Sequence, residues 1–161
     1  MKTQIHQLLI QFIILSLLVC GLASCGSAPK KTTHDLELRI STTTDVNPDV
    51  ESRPSPIVLH VLQLTDVDEF YRAEYLSLAR DDASALGGDV LNKSEVVLKP
   101  GDSRETVLEL NQQTAYLGFV AGYRDIEHAL WRISQEIVPG KTDWISVKLS
   151  EKQILIIEVN D

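Results

Sequence analysis

Residues 34–64 read HDLELRISTTTDVNPDVESRPSPIVLHVLQL, and the change of period within this stretch decides the fold. Leu36, Leu38 and Ile40 alternate with Asp35, Glu37 and Arg39, the two-residue period of a strand with one buried face. Residues 44–56 have no period and carry Pro48, Pro54 and Pro56, so they form a loop. From Ile57 to Leu64 the chain is apolar on both faces, which predicts an inner strand covered on two sides.

Further strands are predicted over 95–99, 104–110, 115–123, 129–137, 142–149 and 153–159, with Pro100-Gly101-Asp102 and Pro139-Gly140 as turns between them. Asp66 and Glu69 have the spacing of a capping pair for a short helix containing Val67, Phe70 and Tyr71. Residues 75–91 extend it by one or two helical turns, broken at Gly87-Gly88, so a small helical insertion lies near 66–88. The expected fold is all-β: an antiparallel β-sandwich of about eight strands over 34–161, with that insertion after the second strand.

N-terminal to the domain, Lys2 precedes the apolar run LLIQFIILSLLV at 8–19. That run has the length of a signal-peptide core and is short for a membrane span, which needs roughly 20 residues. It leads to Leu22-Ala23-Ser24-Cys25, which resembles the bacterial lipobox. Small residues admit the extended chain to a peptidase cleft. The Cys25 thiol is the nucleophile that takes a diacylglyceryl group. Residues 1–24 are then a lipoprotein signal peptide, and 25–33 are the lipidated cysteine with a polar tether. Gly26 stands where Asp would signal inner-membrane retention, so the implied destination is the outer membrane, facing the periplasm. An ordinary signal peptide or an uncleaved anchor, with Cys25 incidental, is the alternative. Lys30 and Lys31 could touch anionic headgroups or simply be solvated.

The 161 residues hold 15 Lys and Arg against 23 Asp and Glu, a formal charge of −8, which argues against a nucleic-acid partner. Cys20 and Cys25 both precede the domain, so no disulfide framework holds it. No G-x-S-x-G, Walker loop, H-E-x-x-H or G-x-G-x-x-G occurs, and His34, His60 and His128 fall in separate elements without ligand spacing. No catalytic residue, cofactor or metal is therefore expected, and the chain reads as a non-enzyme. Asp81, Asp82 and Asp89 could hold calcium, but a solvated turn is the better reading. Trp131 and Trp144 fall in strand patterns and read as core or sheet-face residues.

The 44–56 loop is the positive clue. Neighbouring strands are commonly joined by two to five residues, and here a dozen intervene. The prolines restrict its backbone and lower the ordering cost of binding. Asn47, Asp49, Glu51, Ser52 and Arg53 offer polar contacts, and Val50 an apolar one. A tolerated surface insertion is the competing reading.

Taken together, the lipobox, Asn47 with Ser52-Arg53-Pro54 leading into PIVLHVLQL, the segment FYRAEYLSLARDDASALGGDVL, the Pro100-Gly101 turn and VAGYRDIEHALWR resemble the TssJ family of type VI secretion lipoproteins. Glu74 departs from the family's usual Asp. The resemblance covers nearly all of the mature chain. It implies a transthyretin-like sandwich attached to the outer membrane, and docking to the periplasmic C-terminal region of TssM within a TssJ–TssL–TssM complex. It also implies that the loop between the first two strands is the partner-binding element: Asp45, Val46, Asn47, Pro48, Asp49, Val50, Glu51, Ser52 and Arg53. For Tyr123, Arg124, Asp125 and Trp131 it implies no defined role, and we expect a structural turn with Arg124 paired to a nearby acid. A periplasmic carbohydrate- or peptidoglycan-binding lipoprotein is the alternative function, requiring exposed aromatics along a groove. A hydrolase is the third.

Overall fold

In the computed structural model, the described residues are 34–80, 87–138 and 140–160. The lipobox, the tether, Asp81, Asp82 and Pro139 lie outside them. Eight strands form two four-stranded sheets. The strands are β1 (His34–Thr42), β2 (Ile57–Leu64), β3 (Val90–Leu98), β4 (Ser103–Leu110), β5 (Tyr116–Ala121), β6 (Arg132–Glu136), β7 (Trp144–Leu149) and β8 (Ile154–Val159). One sheet has the order β4-β1-β7-β8, the other β3-β2-β5-β6.

Alternation explains the first sheet. Leu36, Leu38 and Ile40 of β1, with Ile145, Val147 and Leu149 of β7, are fully buried against Leu59, Val61, Leu117 and Phe119 of the second sheet. Each such side chain contributes about 1.5–3 kcal/mol of transfer free energy. β2 is apolar on both faces because it has two roofs. Leu62 and Leu64 point away from the main core into a second cluster with Phe70, Leu78 and Val120. Phe70 and Leu78 come from two five-residue helices, α1 (Asp68–Arg72) and α2 (Tyr75–Ala79), which lie over that outer face. Gly118 of β5 makes room for Phe70, since a Cβ there would meet Phe70 Cε2 at 2.8 Å. Arg132 of β6 fastens the insertion by donating from Nη1 to the Phe70 and Ala73 carbonyls at 2.9 and 2.7 Å. Its guanidinium also stacks on Trp131, 4.5 Å from the ring centre. Trp144, like Trp131, is half-buried, and Arg39 stacks on it.

Four expectations change. First, the sandwich is not wholly antiparallel: β1 and β7 run parallel, with Leu38 opposite Ile145. Second, β3 starts at Val90 rather than 95, and β6 spans only Arg132–Glu136. Third, Asp66 and Glu69 do not form a reciprocal cap. Asp66 accepts the Asp68 N–H at 2.8 Å, while Glu69 pairs with Arg72. Fourth, the 44–56 loop joins strands in opposite sheets rather than neighbours in one. Crossing between layers accounts for part of its length.

Candidate docking surface at the loop pole

The loop between β1 and β2 is anchored at its base and held taut at its tip. Val46 is wholly buried in the main core, so it fixes the chain where the loop leaves β1. Asn47, also buried, sits at φ 51°, a left-handed conformation that Asn tolerates better than most residues. Its Nδ2 donates to the Pro56 carbonyl at 2.8 Å, closing the loop base. Its Oδ1 accepts the Arg124 N–H at 2.8 Å, tying the loop to the β5–β6 connection. The Asn47 N–H donates to the Glu151 carbonyl at 3.1 Å, tying it also to the β7–β8 turn.

Asp49 organises the tip. Its Oδ1 accepts the Glu51 and Arg53 N–H groups at 2.9 and 3.0 Å, and its Oδ2 accepts from Arg53 Nε at 2.8 Å. Those bonds, the Arg53 backbone N–H foremost and then the guanidinium, hold its carboxyl below the usual aspartate range. Arg53 reaches Glu51 as well, at 3.0 Å. Ser52 completes the turn at φ 61°. Above this frame Val50 stands at 103% of its reference exposure. Asp45, Glu51, Ser52 and Arg53 are exposed, and Pro48 and Asp49 are half-exposed. Of the nine expected contact residues, then, Val46 and Asn47 hold the loop from inside, while the other seven reach its surface.

Two further loops share this pole, and nothing in their local sequence points to it. Asp125 accepts from Lys152 Nζ at 2.7 Å and pairs with His128 Nδ1 at 2.7 Å. Lys152 first, then His128, pull the Asp125 carboxyl below its ordinary range. Tyr123 donates its hydroxyl to the Ser150 carbonyl at 3.2 Å, and burial pushes its ionisation well upward. Leu130 bridges in parallel to Gln153 and lies 65% exposed. The expectation that Arg124 pairs with an acid is not met. Its backbone serves Asn47, and among the described residues no carboxylate lies within ion-pair distance of its guanidinium. Its charge acts on Asp49 only at longer range.

A cleft of about 510 Å³ opens between the Pro48–Ser52 tip, Arg124 and the Glu151-Lys152 turn. A second depression of about 510 Å³ lies on the other side of that turn, beside Asp45, His128 and Leu130. Neither is lined by a Trp, Tyr or Phe ring, as a sugar platform would require. His128 and Asp125 resemble a base with its orienting acid, and Ser150 lines the same depression. The Ser150 hydroxyl, however, donates to the Gln153 carbonyl rather than to His128. Among the described residues no group of three or more His, Cys, Asp or Glu is arranged to hold a metal ion. Asp89 instead accepts the Thr65 hydroxyl at 3.1 Å.

Comparison with known proteins gives a consistent answer. The family model described as type VI secretion lipoprotein, VasD, EvfM, TssJ, VC_A0113 matches residues 34–152. A crystal structure of the T6SS lipoprotein TssJ1 from Pseudomonas aeruginosa superposes with a TM-score of 0.74 at 30% identity, covering 78% of this chain and 95% of that one. Lip from Serratia marcescens, a membrane-bound component of the type VI secretion system, superposes at 0.71 with 23% identity, covering 78% and 97%. A chain in a structure of the T6SS protein TssM C-terminal domain from EAEC superposes at 0.65 with 22% identity, covering 78% and 98%. These last two likenesses speak to the fold. Curated protein sequences give no match. With a sandwich of this topology and a family match over 34–152, the chain belongs to the TssJ family of type VI secretion lipoproteins.

Proposed function

We propose that the chain is an outer-membrane anchor of the type VI secretion membrane complex, acting by recognition and without catalysis. Acylated Cys25 holds it to the periplasmic face of the outer membrane. The loop Asp45–Arg53 docks to the periplasmic C-terminal region of TssM, bringing the chain into a TssJ–TssL–TssM assembly. Family membership supports the setting. One observation carries the docking: an apolar side chain, Val50, is fully exposed on a loop whose backbone is fixed by Asn47 and Asp49. Such a tip has little conformational entropy left to lose on binding.

Two experiments test the two halves. Replacing 46–53 with a Gly-Ser linker in the detergent-solubilised full chain should abolish binding to the TssM periplasmic region in calorimetry, and unchanged affinity would place the interface elsewhere. Cys25→Ser should remove the protein from the outer-membrane fraction when the precursor is expressed in its own host. Persistence of that variant in the outer membrane would refute lipid anchoring.

A further inference from the structure

The docking loop accounts for only one wall of the cleft it borders. The opposite wall is Arg124 and the Glu151-Lys152 turn. Most charges there are already committed within the chain. Asp49 is saturated by its own loop, and Asp125 is shared between Lys152 and His128. Among the described residues the Arg124 guanidinium has no such partner, although its backbone is locked in place by Asn47. It is exposed, it faces a concavity, and Pro48 and Val50 supply an apolar rim. An arginine on a fixed backbone beside an apolar rim is suited to bidentate recognition of a carboxylate, and arginine is enriched among interface hot spots.

The geometry points to a composite docking surface in which Arg124 takes a carboxylate of the bound polypeptide while Val50 seats beside it. This rests on the docking reading above and adds the β5–β6 connection as its second half. A polypeptide is favoured over an anionic lipid headgroup by charge: the chain carries a formal −8, which an anionic bilayer surface repels, and Glu151 and Asp125 also line the cleft.

The test uses the detergent-solubilised full chain and the TssM periplasmic region, with binding followed by calorimetry at rising salt. Arg124→Ala should weaken binding about tenfold or more, and Arg124→Glu further still. The salt dependence of the wild-type affinity should be shallower in the Ala variant. Melting temperature should hold in both variants, because the Asn47 bond uses only the backbone of Arg124. Wild-type affinity in Arg124→Ala, with binding abolished by the 46–53 replacement, would overturn this inference and leave the docking reading standing. Unchanged binding after that replacement would remove both. Arg124-dependent binding to phosphatidylglycerol vesicles, without any effect on TssM binding, would overturn it in favour of a lipid ligand.

Discussion

Asn47→Ala should lower stability by about 3–4 kcal/mol, and the sum can be built from the structure. The substitution removes the bonds to the Pro56 carbonyl and the Arg124 N–H, each contributing about 1 kcal/mol net. It also forces Ala into the left-handed region at φ 51°, which costs about 1–2 kcal/mol. Two companion variants separate these contributions. Asn47→Gly loses the same bonds without the backbone strain, so it should be less destabilised than Ala by about 1 kcal/mol. Asn47→Asp keeps the acceptor for Arg124 but buries a carboxylate oxygen against the Pro56 carbonyl oxygen, so at neutral pH it should be destabilised at least as much as Gly. Urea denaturation with a common slope measures all three, and amide exchange over 45–53 reports whether the loop loosens. Equal destabilisation of Ala and Gly would show that the backbone conformation contributes nothing. An Ala variant within 0.5 kcal/mol of wild type would refute the clasp itself.

Gly118→Ala should cost about 1–3 kcal/mol by overpacking, because its Cβ would also lie 2.9 Å from Leu64 Cδ1; a denaturation midpoint equal to wild type would show that Phe70 shifts freely. The Asp125 pairings set a pH dependence. Their folded-state pKa is lowered, so the stabilisation is complete above the ordinary aspartate value and is lost as pH falls through the lower folded-state value. Asp125→Asn should therefore flatten the fall in melting temperature below about pH 4, and parallel acid limbs in the two proteins would dismiss the coupling.

Much of the fold was written in local pattern. β1 and β7 follow their alternation to within a residue or two because one-sided burial leaves a period-two trace, and the bounds of β2, β4 and β8 also agree to within a residue or two. The parallel β1–β7 pairing leaves no such trace, since Leu38 and Ile145 meet only through tertiary structure. The start of β3 was hidden because Asn92, Lys93 and Ser94 are polar, as suits an edge strand. At the candidate site the prolines gave away the loop, but not its division of labour. Val50 and Val46 are alike in sequence and opposite in exposure, and only the neighbouring core separates them. Gln63 shows the same blindness. It is buried near the end of β2, yet it donates to the Glu109 carbonyl and accepts from the Asn111 N–H, bonds invisible to any window of sequence.

The placement of β1 carries a mechanical meaning. It is an interior strand, flanked by β4 and β7, and it runs from His34 to the loop proposed for docking. If the chain is anchored N-terminally to the domain and docks through that loop, as proposed, a pull between the two would travel along its axis. The hydrogen bonds to both neighbours lie across that axis, so they would resist as a set loaded in shear, instead of peeling one after another like a zip.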